Sequence, residues 1–249
     1  RWCNALEENS MNRNSQKADI VICGAGIAGV ATAYFLTVRQ GVQNVVLVDD
    51  RAPLTLTSDK SSEGYRNWWP GPGDAMVRFM DRSIDLLEAL AGESNNSFHM
   101  NRRGYIYMTA DQARVPALQS DAVEIAQLGA GPLRVDQPYL PAAANGYEDQ
   151  PRGADLILDP ALISANYPFI SRDVAALLHA RRCGWLSAQQ LGMTLLEKPR
   201  DGGVRLVNGR VKEVVSRSNQ VESIVVQTNE GESQIATGTF INAAGPLVK

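Results

Sequence analysis

Asp19-Ile20-Val21-Ile22-Cys23 is a short, continuous apolar run, the pattern of a strand buried on both faces of a parallel sheet. From Ile27 to about Arg39 the period changes. Ile27, Val30, Ala31, Tyr34, Phe35 and Val38 recur at helical spacing, and Gly41 is placed to end the helix. Val45-Val46-Leu47-Val48 is a second unbroken apolar run, and it leads into Asp49-Asp50. Strand, helix, strand in this order predicts a βαβ unit with parallel strands.

Further along, Asp74 is positioned to cap a helix reaching about Leu90, with Met76, Phe79, Met80, Ile84, Leu87 and Leu90 as its core-facing stripe. Gly104 to Met108 alternates as a strand does, and Ala113 to Leu128 reads as a helix with Pro116 in its first turn. Residues 129–155 hold Pro132, Pro138, Pro141 and Pro151 and are expected to be irregular. The chain then returns to strands and one helix. Val174 to Ala180 is an apolar strand, and Ser187 caps a helix to about Glu197. Val204 to Val207 is short and extended. Val211–Val215 and Val221–Thr228 flank Ser218-Asn219 as a hairpin, and Thr239–Asn242 is a last buried strand. The polar, aperiodic residues 1–17 are expected to form a loose tail. Met11 is a possible natural start, and the end of the sequence within an apolar pattern suggests a piece of a longer protein.

The turn after the first strand carries the chemistry. Gly24-Ala25-Gly26-Ile27-Ala28-Gly29 is a GxGxxG loop in the context that gives that motif meaning, between a strand and a helix. Gly24 serves the tight turn. Gly26 leaves room for a pyrophosphate to approach the backbone, and Gly29 lets helix and strand pack closely. The helix start offers unpaired N–H groups and a positive dipole end to phosphate. Asp49 lies 25 residues beyond Gly24, near the interval of about 20 expected for the acid that accepts bonds from an adenosine ribose. A carboxylate there disfavours a 2′-phosphate, and Asp50 is the alternative acid. After Arg51, the hydroxyl-rich stretch containing Ser58, Ser61 and Ser62 is a candidate contact for pyrophosphate or flavin, against the plainer reading of a surface loop. Arg66 stands beside Asn67-Trp68-Trp69-Pro70 and is a candidate carboxylate ligand. Ala243 and Gly245, small residues after the last strand, allow another close backbone approach.

Composition narrows the class. With 44% hydrophobic and 20% charged residues the chain is globular, and a net charge of −3 gives no electrostatic reason to expect nucleic acid or anionic membrane as partner. No apolar run approaches the roughly 20 residues of a membrane span. The three cysteines, Cys3, Cys23 and Cys183, are widely separated, which predicts neither a disulfide framework nor a zinc site and fits a reducing, cytoplasmic location. No signal peptide is visible. Neither His99 nor His179 has a carboxylate or cysteine at ligand spacing, and no metal site or Ser/His/Asp set can be argued.

The run from Asp19 to Gly29, then Pro168-Phe169-Ile170, Gly184-Trp185-Leu186-Ser187 and Phe240-Ile241-Asn242-Ala243-Ala244-Gly245-Pro246, resembles in this order the FAD-dependent oxidoreductases of the D-amino acid oxidase superfamily, such as glycine oxidase and sarcosine oxidase. The resemblance implies an α/β fold, with a Rossmann-like FAD-binding domain interleaved with an antiparallel-sheet substrate domain that is incomplete here. The implied division is 18–97 and 183–249 for FAD and 98–182 for substrate. It implies that Gly24, Ala25, Gly26, Ile27, Ala28 and Gly29 hold the pyrophosphate. Asp49 would hold the ribose, and Val211 would meet adenine through its backbone. Arg66 matches loosely an arginine near flavin and substrate. The implied activity is oxidation of the C–N bond of an amine or amino acid by hydride transfer to flavin N5, with oxygen or a carrier as electron acceptor. An NAD-dependent dehydrogenase and a non-catalytic FAD-binding assembly protein or inactive fragment are the rival readings.

Overall fold

The computed structural model describes residues 15–60, 63–138, 142 and 145–247. In chain order the elements are β1 (Ser15–Lys17), β2 (Ile20–Cys23), α1 (Ile27–Tyr34, continued by one wider turn over Phe35–Arg39) and β3 (Val45–Asp49). Then come β4 (Gly64–Arg66), α2 (Ala75–Glu93), β5 (Tyr105–Thr109), α3 (Val115–Ile125) and β6 (Leu133–Val135), followed by β7 (Ala154–Ile157), α4 (Pro160–Asn166), β8 (Ala176–Ala180) and β9 (Cys183–Trp185). The chain closes with α5 (Ala188–Asp201), β10 (Arg205–Asn208), β11 (Arg210–Arg217), β12 (Gln220–Thr228), β13 (Gly231–Ala236) and β14 (Phe240–Asn242). Two compact units result, one from residues 15–60 and 188–247 and one from residues 63–187. The divisions fall near 61 and 187, whereas the sequence suggested 97 and 182. Residues 63–97 belong with the second unit because β4 pairs with β9, from Gly64 opposite Trp185 to Arg66 opposite Cys183.

The first unit stacks two sheets. A parallel sheet runs β10-β3-β2-β14, with Val21 between Val46 and Phe240 in register. Beside it lies β1-β13-β12-β11. Alternation along the parallel strands decides what each face meets. Val21, Val46 and Val48 pack with Ile224, Val226 and Ile235 of the second sheet. Ile22 and Leu47 are also fully buried, and Leu47 lies on the face that α1 covers: a Cβ on Gly29 would stand 3.4 Å from its Cδ1. Both faces of β3 are therefore dry, which explains its unbroken apolar run. Buried residues of α1 are Gly29, Val30, Ala33 and Tyr34, while Val38, expected on the inner face, is exposed because the helix widens after Tyr34.

Residues 15–17, expected in the loose tail, instead form β1, paired in parallel with β13 from Ser15 opposite Gln234 to Lys17 opposite Ala236. Arg205 secures this edge by donating to the Lys17 carbonyl at 2.7 Å and to Gln16 Oε1 at 3.0 Å. Residues 1–14 lie outside the described residues. The hairpin turns where the sequence placed it, with Ser218 and Asn219 both at positive φ, as a two-residue loop between right-twisted strands requires.

The second unit is built on the sheet β5-β8-β7-β6. All five residues of β8 are buried. Leu178 and Ala180 face Trp68, Val77, Ala122 and Ile125, and Leu177 faces Ile163 and Tyr167 on the other side. Helix α2 departs from its expected register. Ile84 and Leu90 are buried as expected, but Met76 and Phe79 are 43% and 65% exposed, and Val77 and Ala91 are buried in their place. The cause is a buried cation. Arg182 donates to Asp81 and Asp85 at 2.6 Å and to Glu88 at 3.0 Å, which draws the half-buried Asp81 and Glu88 side of α2 toward it while Asp85 stays exposed. Asp74 makes no side-chain bond to the start of α2. The region expected to be irregular contains β6, which pairs in parallel with β7.

His179 is a buried hub of this unit. Its Nε2–H donates to the Arg103 carbonyl at 2.8 Å and its Nδ1 accepts from the Arg181 guanidinium at 2.8 Å, which fixes the neutral Nε2–H tautomer. Burial, with Arg181 adding to it, pulls its pKa down to about 4. Arg181 in turn pairs with Asp155 at 3.2 Å.

Candidate functional site

The glycine loop lies where β2 and β3 end and α1 begins. Gly24 has φ +104°, a conformation that disfavours any residue with a Cβ, and a Cβ there would press into the carbonyl of Ala243, 2.7 Å from its carbon. The Gly24 N–H donates to the Val48 carbonyl at 2.8 Å, and the Ala243 N–H to the Cys23 carbonyl at 2.8 Å. The loop is thus wedged between the ends of β3 and β14. Gly29 answers a different need. Its Cβ would collide with the Gly24 carbonyl oxygen and stand 3.0 Å from the carbonyl carbon, so α1 reaches the strand this closely because residue 29 has no side chain. At Gly26 the nearest atom to an added Cβ is Ser58 Oγ at 3.3 Å.

Asp49 is held by the backbone. One carboxylate oxygen accepts from the Ala25 N–H at 2.6 Å and the other from the Arg51 N–H at 3.0 Å. The acid at the end of β3 is therefore tied to the glycine loop and cannot swing away. Asp50 is engaged elsewhere: Arg210 Nε and a terminal guanidinium nitrogen donate to one of its oxygens at 2.9 and 2.6 Å. Val211, next to Arg210, is opposite Val226 in the β11–β12 ladder, and the Gly209 N–H donates to the Asp49 carbonyl at 2.9 Å. Ala25, Ile27 and Ala28 sit between these anchors. Cys23 is half-buried at the end of β2; burial, and then the Asp49 and Asp50 charges, push its pKa up, so it stays a thiol.

A strap from Leu54 to Asp59 crosses this loop. The Leu54 N–H donates to the Ala25 carbonyl at 2.9 Å, and the Ile27 N–H donates to Ser58 Oγ at 2.9 Å. Gln189 holds the strap from α5, donating to Leu54 and Asp59. Of the three candidate serines Ser58 is at the loop, and Ser61 and Ser62 lie outside the described residues. Gly245, at φ +62°, begins a short helical turn after β14. The ties from Leu54, Gln189 and Arg210 were not read from the sequence. Each is one or two polar contacts across dozens of residues, which no local pattern signals.

Arg66 belongs to the second unit. Its guanidinium lies over the Trp69 ring at 4.0 Å, faces Tyr105 at 5.9 Å, and donates to Tyr107 Oη at 3.3 Å. The Trp69 indole N–H bonds back to the Arg66 carbonyl at 3.0 Å. Among the described residues no carboxylate pairs with Arg66, and its Nε is buried without a partner. A cleft of about 280 Å³ opens beside it, lined by Trp68, Tyr107, Leu118, Asp121 and Ile125 among others. Burial raises the Tyr107 pKa, with Arg66 pulling the other way, so the phenol stays protonated. The alternation Tyr105-Ile106-Tyr107 was the available signal that two phenols share a face.

No described helix is long and apolar enough to cross a membrane, and no group of three or more potential metal ligands occurs among the described residues.

The model of the family described as FAD dependent oxidoreductase (DAO) matches residues 19–249. No curated protein sequence matches the chain. Among solved structures, L-proline dehydrogenase from P. horikoshii superposes with a TM-score of 0.71 at 21% identity over 94% of this chain and 57% of that one. Glycine oxidase from Bacillus cereus ATCC 14579 gives 0.72 at 14% over 93% and 56%. L-alpha-glycerophosphate oxidase from Mycoplasma pneumoniae, solved with FAD bound, gives 0.65 at 17% over 92% and 54%. The chain thus spans about half the length of these structures. A cradle that added Cβ atoms would fill, an acid locked at the end of β3 and a helix start aimed into the loop all fit a dinucleotide pyrophosphate and its ribose. The matched family spans nearly every described residue of both units, and the chain belongs to the FAD-dependent oxidoreductases of the DAO family.

Proposed function

We propose that the protein oxidises the C–N bond of an amine or amino acid with FAD as its cofactor. The observation that carries this reading is the wedge of Gly24 against Ala243, with Asp49 bonded to both Ala25 and Arg51. On this reading the backbone of residues 24–29 holds the pyrophosphate and the Asp49 carboxylate accepts from the adenosine ribose. Val211 lies toward adenine through its backbone, Ala243 and Gly245 leave room for close approach, and Ser58 lies beside the phosphates. Arg66 is the cation for a substrate carboxylate. When bound, the flavin supplies an electron sink at N5 for the hydride released from the carbon bearing nitrogen. The chain's own task is to bind, orient and keep that carbon dry. No protein base is required if the amine binds neutral. Electrons then pass to oxygen or to a carrier.

The test is anaerobic mixing of the FAD-loaded full-length protein with a panel of amines and amino acids. The oxidised flavin band near ~450 nm should bleach with at least one of them. A flavin that dithionite reduces but no amine or amino acid reduces contradicts the proposal.

A further inference from the structure

Where β10 gives way to β11, three successive residues tie the chain to the end of β3. Asn208 lies opposite Asp49 in the parallel ladder, and the Gly209 N–H donates to the Asp49 carbonyl at 2.9 Å. Arg210 then directs Nε and a terminal guanidinium nitrogen at one oxygen of Asp50, at 2.9 and 2.6 Å. The other Asp50 oxygen has Arg51 Nε at 3.7 Å. On its far side the start of β11 is held less well. Gly209 is pressed onto β12, where an added Cβ would stand 2.7 Å from Val226 Cγ1. The β11–β12 register slips between Val211 and Glu213, however, and a bulge interrupts the ladder where it occurs. Residues 209–211 therefore take their place largely from β3, and of the three ties Arg210 makes the one that uses side chains. The pair faces solvent, with Arg210 70% and Asp50 31% exposed, so it adds little to the stability of the fold. Its effect is on geometry, because two donors on one oxygen restrict both side chains at once.

We propose that Arg210 is a positioning residue for the adenosine end of the cofactor: paired with Asp50, it holds Gly209–Val211 against the end of β3, so that the Asp49 carboxylate and the Val211 backbone form one surface before the ligand arrives. This rests on the reading of Asp49 and Val211 as the ribose and adenine contacts. Without the pair, part of the binding free energy goes into ordering the segment. A field effect of the same two charges would look different. Loss of the Arg210 cation would weaken binding of an anionic diphosphate, and loss of the Asp50 anion would strengthen it. Positioning gives both losses the same sign and size, with nothing further lost when both residues are replaced.

The experiment is titration of the full-length protein with FAD, read by flavin fluorescence, on wild type, Asp50→Ala, Arg210→Met, the double variant, Arg210→Lys and Asp49→Ala. Asp50→Ala, Arg210→Met and the double variant should each weaken FAD about fivefold, well short of the Asp49→Ala loss. Arg210→Lys, which keeps a donor for Asp50, should stay within about twofold of wild type. ADP, which carries the adenosine without the flavin, should lose the same factor as FAD when it competes for the site. Urea midpoints of the Asp50 and Arg210 variants without cofactor should match wild type, which separates positioning from a general loosening of the fold. Opposite signs for the two single variants, additive losses in the double variant, an Arg210→Lys loss as large as that of Arg210→Met, an ADP affinity the variants leave unchanged, or an Asp50→Ala loss as large as that of Asp49→Ala would overturn the proposal. If the Asp50 and Arg210 variants bind FAD as wild type does and Asp49→Ala does not, this inference fails and the reading of Asp49 stands. If Asp49→Ala also binds FAD as wild type does, that reading fails.

Discussion

Gly29→Ala tests the packing that brings α1 onto β2. The new Cβ would lie far inside 3.0 Å of the Gly24 carbonyl oxygen and 3.0 Å from its carbon, and both obstacles are backbone. No rotamer change relieves the clash, so the helix start must move outward or the Gly24 turn must open. Overpacking costs about 1–3 kcal/mol where side chains can yield. Here the upper end, about 3 kcal/mol, is expected, against total stabilities of about 5–15 kcal/mol. The same displacement carries the first N–H groups of α1 away from the loop, so FAD affinity should fall at least about tenfold. Gly41→Ala is the control: Gly41, unlike Gly29, has positive φ, and nothing lies within 4 Å of its added Cβ. Strain alone should then cost about 1 kcal/mol and leave FAD binding unchanged. Urea denaturation without cofactor and quenching of flavin fluorescence on titration measure the two effects. A Gly29→Ala protein with wild-type midpoint and wild-type FAD affinity would refute the packing argument.

Asp49→Ala removes the acceptor for both the Ala25 and Arg51 N–H groups and should cost about 2 kcal/mol together with most FAD affinity; equal loss from Asp50→Ala would show that the wrong acid has been assigned. Arg182→Met leaves Asp81, Asp85 and Glu88 crowded on one face of α2 and should destabilise by about 3 kcal/mol at pH 7, less at high salt; a neutral effect on the melting midpoint would mean the carboxylates are solvated. His179 sets an acid limit. Its folded pKa of about 4 lies below the ordinary 6.5, so between those values the unfolded chain binds the extra proton. The contribution is complete above about pH 6.5 and is lost as pH falls toward 4, amounting to about 3 kcal/mol. His179→Gln should flatten that part of the pH–stability curve, and an unchanged curve would count against a buried neutral imidazole.

What could be read from the residue order follows the range over which each interaction acts. The βαβ unit was legible because its signals are local: unbroken apolar runs for strands buried on two faces, a helical period, and glycines where the turn requires φ +104° or close approach. The hairpin was legible for the same reason, through Ser218 and Asn219. The face of α2 was legible at Ile84 and Leu90 but misread at Met76 and Phe79, because a partner about a hundred residues away, Arg182, draws Asp81 and Glu88 toward its buried charge. β1 escaped notice since a polar three-residue edge strand has no pattern of its own, only backbone groups offered to β13. At the site, the residue types were visible, but the locking of Asp49 by Ala25 and Arg51, the Ser58 bond to Ile27 and the aromatic stack on Arg66 arise from three-dimensional approach.

Cofactor uptake by the full-length protein addresses the central claim most directly. Equilibrium dialysis against FAD and, separately, against NAD should give one saturable FAD site per chain, lost in Gly29→Ala and Asp49→Ala, and no retention of NAD. Dialysis that leaves FAD equally distributed across the membrane, or that retains NAD in its place, would contradict it.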